Sequence, residues 1–311
     1  MGRLGEYMNI HQKLESVLGE GRVKADFILA PYTTFKMGGP AQYYFEAETL
    51  DEIVSAVKAA HENDLKLTIL GGISNVVISD IGVKGLVVRN RFSNKEMQKE
   101  DGKSVLLKVT SGYPISILAR ETAAMGLSGL EYHLGLPGTV GGALCMNSKW
   151  TKPVSYVGDA LHSALLINSS GNTKIVNRDY FNFSYDYSIL QETHELIGYG
   201  VFKLTKMDPQ ILVKRAQDAL EYRKKTQPFG VASSGCFFQN IDGESAGKLI
   251  DELGFKGYKV GGLEVSDVHA NFIINNGNGT VADFKKIVES IKEKALREKG
   301  MRLQEEIKFI D

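Results

Sequence analysis

The chain has 311 residues, and its 43% hydrophobic and 24% charged fractions are those of a soluble globular protein with room for two or three domains. Its 37 basic residues are balanced by 37 acidic ones, which argues against an electrostatic nucleic-acid binder. No apolar run approaches the ~18 residues of a membrane span, and the polar opening stretch from Met1 to Glu20 is no signal peptide, so a cytoplasmic protein without membrane or nucleic-acid partners is expected.

In chain order, apolar residues at Ile53, Val54, Ala56, Val57 and Ala60 predict a helix over 50–63. Leu67-Thr68-Ile69-Leu70 reads as a buried strand. Val76-Val77-Ile78 and Leu86-Val87-Val88 flank Asp80-Ile81-Gly82 as strand, turn and strand. Residues 104–111 alternate as a strand, and 114–125 form a helix that begins at a tolerated proline and ends before Gly126. Further strands are predicted over 160–168, 174–176 and 195–206. Asp208-Pro209 then marks a boundary before an amphipathic helix over 210–225. Helices over 245–253 and 281–299 and strands over 270–274 and 306–310 complete the chain, with turns at Gly261-Gly262 and Asn275-Asn276-Gly277. Strands mixed irregularly with helices indicate an α+β architecture.

Two glycine-rich stretches carry most of the functional information: Leu70-Gly71-Gly72-Ile73-Ser74-Asn75 and Gly135-Leu136-Pro137-Gly138-Thr139-Val140-Gly141-Gly142. Glycine permits close backbone approach and positive φ, and consecutive N–H groups in such turns form concavities suited to phosphate. Neither stretch fits G-x-G-x-x-G, and no G-x-x-x-x-G-K-[ST] occurs, which disfavours a Rossmann or P-loop fold. Two loops with Ser74, Asn75, Thr139 and Asn147 nearby point to a large dinucleotide held from two sides. Cys145 and Cys236 cannot form a disulfide framework and lack metal-ligand spacing, so no metal is expected.

Several motifs in order resemble the flavin-dependent UDP-N-acetylenolpyruvylglucosamine reductase family of bacterial cell-wall synthesis. They are Thr34-Phe35-Lys36-Met37-Gly38-Gly39-Pro40-Ala41, the two glycine loops, Arg223 with Gln227-Pro228, the run from Ser233 to Asn240, Val265-Ser266-Asp267-Val268-His269-Ala270-Asn271-Phe272, and Leu303-Gln304-Glu305-Glu306-Ile307. The resemblance, to the shorter subclass, implies a two-part FAD-binding domain of the vanillyl-alcohol-oxidase-like type and a smaller α+β C-terminal substrate domain. Expected boundaries are 1–92 with an N-terminal helix, 93–208, and 209–311. It implies non-covalent FAD, NADPH as co-substrate, a UDP-sugar substrate and a monomer. By position, Leu70, Gly71, Gly72, Ser74 and Asn75 together with Pro137, Gly138, Thr139, Gly141 and Gly142 would hold the FAD pyrophosphate. Ser111, Gly112, Asn147, Arg223 and Lys308 would also contact the cofactor, and Tyr185, Gln239, Asn240 and His269 the substrate.

In the implied reaction a hydride goes to the β-carbon of an enolpyruvyl ether, and a positioned acid protonates the α-carbon. The family's acid is a serine, and Cys236 occupies that position here, with a thiol whose ordinary pKa near ~8.5 leaves it mostly protonated at neutral pH. Glu306 matches the glutamate that polarises the substrate carboxylate, and it would be protonated if it lies close to that anion. The family pattern Tyr-Arg-x-Ser is here Tyr185-Asp186-Tyr187-Ser188. A carboxylate about 4 Å from the substrate carboxylate would cost ~4 kcal/mol at an effective dielectric near 20. Either Asp186 turns away and a cation such as Arg178 or Lys225 compensates, or the chain is a flavoprotein of the same fold with another substrate. Asn147-Ser148-Lys149-Trp150 also departs from the family's small residues after the second loop, introducing the lone tryptophan and an added cation.

Overall fold

A computed structural model of the chain describes residues 9–241 and 243–311; the first eight residues of the polar opening stretch lie outside it. Helix α1 (Ile10–Leu18) starts at a reciprocal Asn9/Gln12 capping box. It is followed by β1 (Lys24–Ile28), β2 (Pro40–Ala47), α2 (Leu50–Glu62), β3 (Leu67–Leu70), β4 (Val76–Ile78) and β5 (Val83–Asn90). Four of these strands form a sheet in the order β1-β2-β5-β3, parallel except for the β1 edge. Leu14, Leu18, Ile53, Ala56 and Val57 from the two helices pack on Phe45, Leu86 and Val88 of that sheet.

The middle of the chain contributes β6 (Lys95–Glu100), β7 (Ser104–Thr110), α3 (Ile115–Ala124), β8 (Leu127–Ser128), α4 (Val140–Cys145), β9 (Lys149–Thr151), β10 (Val154–Tyr156), β11 (Leu161–Ile167), β12 (Thr173–Asn177), α5 (Leu190–Thr193) and β13 (Leu196–Lys206). An antiparallel sheet runs β12-β11-β13-β7-β6, with β8 also on β13. Its inward residues, such as Val105, Leu107, Val109, Leu166 and Phe202, alternate as a half-buried sheet requires. Helix α6 (Pro209–Thr226) lays Leu212 and Ala216 against Ala123 of α3.

The last segment holds α7 (Ala246–Glu252), β14 (Lys259–Val260), β15 (Leu263–Val265), β16 (Ile273–Asn275), α8 (Val281–Lys299) and β17 (Lys308–Ile310). Strands β14, β15 and β16 form an antiparallel sheet. Its core of Phe237, Phe238, Ile250, Val265, Phe284, Ile287 and Ile291 also takes in Phe35, Met37 and Val77 from far earlier in the chain. Asn275 Nδ2 donates to Phe35 O at 3.0 Å, and Asp80 Oδ2 accepts from Val281 N at 2.8 Å at the head of α8. The opening motif around Phe35 is therefore part of the C-terminal core.

The α+β expectation holds, and the predicted helices over 50–63, 114–125, 210–225, 245–253 and 281–299 lie within a residue or two of those observed. The strand–turn–strand around Asp80-Ile81-Gly82 is not a hairpin: β5 joins β2 and β3, whereas β4 pairs in parallel with β17. The strand expected over 270–274 joins the sheet only at Ile273–Asn275, because a turn at His269–Phe272 precedes it, while Phe272 forms a single bridge to Cys236. Strands β1 and β6 escape prediction because both are exposed edges, and the charged run of β6 carries no apolar alternation.

Phe35→Ala should destabilise the protein by about 3–5 kcal/mol, the usual range for an emptied aromatic core site. Denaturant unfolding checks it, and a loss below about 1 kcal/mol would show that this side chain is dispensable to the C-terminal core.

Candidate active site

Strand β3 runs directly into the first glycine loop, where Ile73 adopts φ 52°. A β-branched residue in this region is strained, and Thr34 holds it there by donating its N–H and Oγ1 to Ile73 O at 3.1 and 3.3 Å. The second loop meets the first face to face. A Cβ on Gly72 would lie 2.5 Å from Gly138 Cα, and one on Gly71 would lie 2.3 Å from Thr139 Oγ1. Among the described residues, the N–H groups of Gly71, Gly72, Ile73, Ser74, Asn75, Gly138 and Thr139 have no protein acceptor. Unpaired donors gathered where two backbones touch form an anion cradle, and they fit the diphosphate of a dinucleotide.

Other residues expected at the cofactor also make contacts that shape the loops. Gly141 N donates to Ser111 O at 2.8 Å, and Ser111 Oγ accepts from Asn90 Nδ2 at 2.7 Å. Gly112 is pressed against Phe92 O, 2.6 Å from where a Cβ would sit. Asn147, at φ 45°, donates Nδ2 to Ser184 O at 2.8 Å and accepts Gly158 N at 3.2 Å, so its amide fixes the segment leading to Tyr185. Leu70 is buried in the core, whereas Pro137 and Gly142 are exposed on the loop surface.

The acid cluster is assembled by one extended segment laid between two others. Phe237 N donates to Asn271 O at 3.2 Å on one side, and Glu306 N and Gln239 N bond to Phe237 O at 3.0 Å and Gln304 O at 2.9 Å on the other. The Asn271 amide spans Phe238, accepting its N–H at 3.0 Å and donating to its carbonyl at 2.7 Å. Cys236 is thereby held beside both the Phe272 turn and the chain carrying Glu306. The ladder of β17 on β4 places Lys308 against the first glycine loop, with Lys308 N donating to Asn75 O at 3.1 Å.

Three acidic groups interact in this space. Burial and the nearby Asp186 carboxyl push Glu306 up to about 8, against the pull of Lys308. Burial pushes the Cys236 thiol well up, reinforced by Glu306 and Asp186, while Arg223 and Asn271 pull it back. Asp186 is buried at φ 51° with Oδ2 lacking a partner; burial raises its carboxyl, and Tyr185, Lys149 and Lys308 draw it down. Tyr185 OH accepts Asn240 N at 3.2 Å. The Arg223 guanidinium lies 4.7 Å over the Trp150 ring with Nε and Nη2 unpaired, and burial lowers it to about 10. It stays charged at neutral pH.

The cations that act on Asp186 are Lys149 and Lys308. Arg178, expected as a compensating cation, donates Nε to Gly158 O at 2.8 Å and pairs with Asp159 at 3.6 Å, and Lys225 is exposed on α6. His269, expected at the substrate, accepts Asn271 N on Nδ1 at 3.2 Å and stacks edge-on to Phe272. It orients Asn271 and hence the Cys236 segment. Asn240 uses Oδ1 to accept Ala246 N at 3.0 Å. Sequence reading gave no role to His133, which is fully buried beside Arg223 with both ring nitrogens unpaired and is held neutral by burial at about 3. It singled out no part for Asn271 beyond the motif that contains it.

Comparison with known proteins agrees with this geometry. A family model described as FAD binding domain matches residues 41–177, and one described as UDP-N-acetylenolpyruvoylglucosamine reductase, C-terminal domain, matches 227–310. The UDP-N-acetylenolpyruvoylglucosamine reductase of Chlamydia trachomatis serovar L2 is 38% identical over 282 residues, covering 91% of this chain and 94% of its own. The reductase of the same name from a Synechococcus species is 34% identical over 288 residues, with 92% and 93% covered. The crystal structure of UDP-N-acetylenolpyruvylglucosamine reductase from Thermus caldophilus superimposes with a TM-score of 0.78 at 32% identity, over 93% of this chain and 99% of that one. Phl p 4, a grass pollen allergen with glucose dehydrogenase activity, shares the fold alone, with a TM-score of 0.51 at 12% identity over 94% of this chain and 63% of its own. With relatives of one name matched along nearly their whole length, the chain belongs to the UDP-N-acetylenolpyruvoylglucosamine reductase family.

Proposed function

We propose that this protein is an FAD-dependent oxidoreductase that uses NADPH to reduce UDP-N-acetylenolpyruvoylglucosamine to UDP-N-acetylmuramate in peptidoglycan synthesis. The observation that carries this reading is the placement of Cys236 and Glu306 on adjoining segments, tied through Lys308 N to Asn75 O, beside two glycine loops with unpaired N–H groups. A different substrate was the alternative prompted by Asp186, and the agreement in name among relatives aligned over nine-tenths of the chain favours the reductase. No helix among the described residues is long and apolar enough to cross a membrane, and the reading includes a cytoplasmic monomer.

Gly71 to Asn75 and Gly138-Thr139 would hold the FAD diphosphate. FAD held there would supply the redox chemistry, with NADPH as its reductant and the β-carbon of the enolpyruvyl ether as the hydride acceptor. The chain must then deliver a proton to the α-carbon and balance charge on the carboxylate. Cys236, raised by burial, keeps its thiol proton at neutral pH, and the neighbouring Arg223 stabilises the thiolate left after transfer. Glu306 and Asp186 cannot both ionise freely at close range. Glu306 accordingly holds the proton at pH 7 and donates a hydrogen bond to the substrate carboxylate.

Cys236→Ala should leave reduction of FAD by NADPH near its normal rate and slow reoxidation by the enolpyruvyl sugar nucleotide by about 10²–10⁴-fold. Cys236→Ser should recover much of that loss. Stopped-flow absorbance separates the two halves, and reoxidation at the parent rate in Cys236→Ala would make this thiol a packing residue.

The reoxidation rate should also fall as pH rises through about 8, where Glu306 loses its proton. Because its folded value is raised, its contribution to stability is complete below the ordinary carboxylate range and is lost as pH rises through about 8. Glu306→Gln should flatten the alkaline limb of the rate and raise the melting temperature relative to the parent at pH about 9, with no such gain at pH about 4. An unchanged alkaline limb in Glu306→Gln would assign that titration elsewhere.

Gly72→Ala should force the two loops apart, since its Cβ would meet Gly138 Cα at 2.5 Å. Destabilisation of about 1–3 kcal/mol is expected, with bound flavin lost on dilution as followed by flavin fluorescence. Undiminished flavin retention would show that loop contact does not form the cradle.

A further inference from the structure

Lys149 sits in β9 opposite Tyr156 in the β9–β10 hairpin. Its neighbour Trp150 faces the other side by strand alternation, and Trp150 is pinned. Trp150 Nε1 donates to Lys152 O at 2.7 Å, its ring carries the Arg223 guanidinium, and Tyr222 meets it edge-on at 5.7 Å. Fixing Trp150 fixes the direction of Lys149. The Lys149 ammonium lies 5.0 Å from the Tyr185 ring centroid and 5.6 Å from that of Tyr156, so among the described residues tyrosine faces hold it, with no salt-bridged carboxylate.

The site crowds acidic groups together. Asp186 and Glu306 already interact there, and the substrate of the proposed reaction brings a third carboxyl group. Three cations reach the cluster. Arg223 is stacked on Trp150 on the Cys236 side, and Lys308 lies on β17 beside Glu306 and the first glycine loop. Lys149 serves the Tyr185–Asp186 side. An ammonium resting on ring faces keeps donors available for an incoming anion.

We propose that Lys149 receives the substrate's carboxylate on the Tyr185 side of the cleft, with Asp186 as the counter-charge that positions its ammonium. The inference rests on the reductase reading above. The cation is thus relocated between two segments: residue 186 supplies an anion, and the hairpin supplies the cation that the enolate charge developing during reduction requires.

The test uses the FAD-loaded enzyme and separates the half-reactions. Lys149→Met should be reduced by NADPH at close to the parent rate but reoxidised by UDP-N-acetylenolpyruvoylglucosamine about 10²–10³-fold more slowly, the scale of one lost charge-stabilising donor. Lys149→Arg should recover most of the rate, and Asp186→Asn should raise KM more than it lowers kcat. Carbon-13 NMR of labelled aspartate carboxyls should show the Asp186 titration moving upward in Lys149→Met. Reoxidation of Lys149→Met at the parent rate, or equal slowing of both halves, overturns the assignment of Lys149. An unmoved Asp186 titration overturns the pairing. A parent enzyme that NADPH reduces but the sugar nucleotide never reoxidises overturns the reductase reading instead, and the carboxyl titration then decides the Lys149–Asp186 pairing by itself.

Discussion

The short parallel ladder between Lys308–Ile310 and Val76–Ile78 is the contact on which the rest of the site depends. It returns the far end of the chain to the strand that leaves the first glycine loop. Glu306 lies two residues before that ladder, and its N–H is already bonded to Phe237 O. One pairing therefore sets the loop, the carboxyl and the Cys236 segment in a common frame. Parallel pairing between such distant segments carries a loop-closure cost, which the shared core of Phe35, Met37 and Val77 with Phe237, Phe284 and Ile287 offsets through burial.

Within that frame the cleft works by crowding acids together. Burial raises Cys236, Asp186 and Glu306; Asp186 raises the other two further, and Glu306 raises Cys236. The outcome is a site that holds protons at neutral pH, which suits a reaction whose second half consumes one. Cations at three corners, Arg223, Lys308 and Lys149, keep the cluster from being prohibitively costly and leave guanidinium and ammonium donors facing it.

The cofactor side follows a different rule, since it relies on backbone rather than charge. Strain at Ile73, held by Thr34, and the absence of Cβ atoms at Gly71, Gly72 and Gly138 let two loops touch while their N–H groups stay unpaired. Ser111, Gly112, Gly141 and Asn147 support this contact from behind. Hydrogen-bond partners show which backbone donors near such a loop stay unpaired and which are used to hold it in place.

Local sequence determined the helices, because amphipathic spacing and caps such as Thr49 and Thr280 act within a few residues. It also determined the two glycine loops and the chemical types at Cys236 and Glu306, which the order of motifs made legible. Edge strands such as β6 were illegible because an exposed edge needs no apolar alternation. Tertiary structure alone decided that β4 pairs with the last strand rather than with β5. It decided too that His269 serves the Asn271 turn, and that Lys149 and Lys308, rather than Arg178 or Lys225, face Asp186. Those outcomes turn on which distant segments share a core and which partners a side chain meets there, and neither quantity is contained in residue spacing.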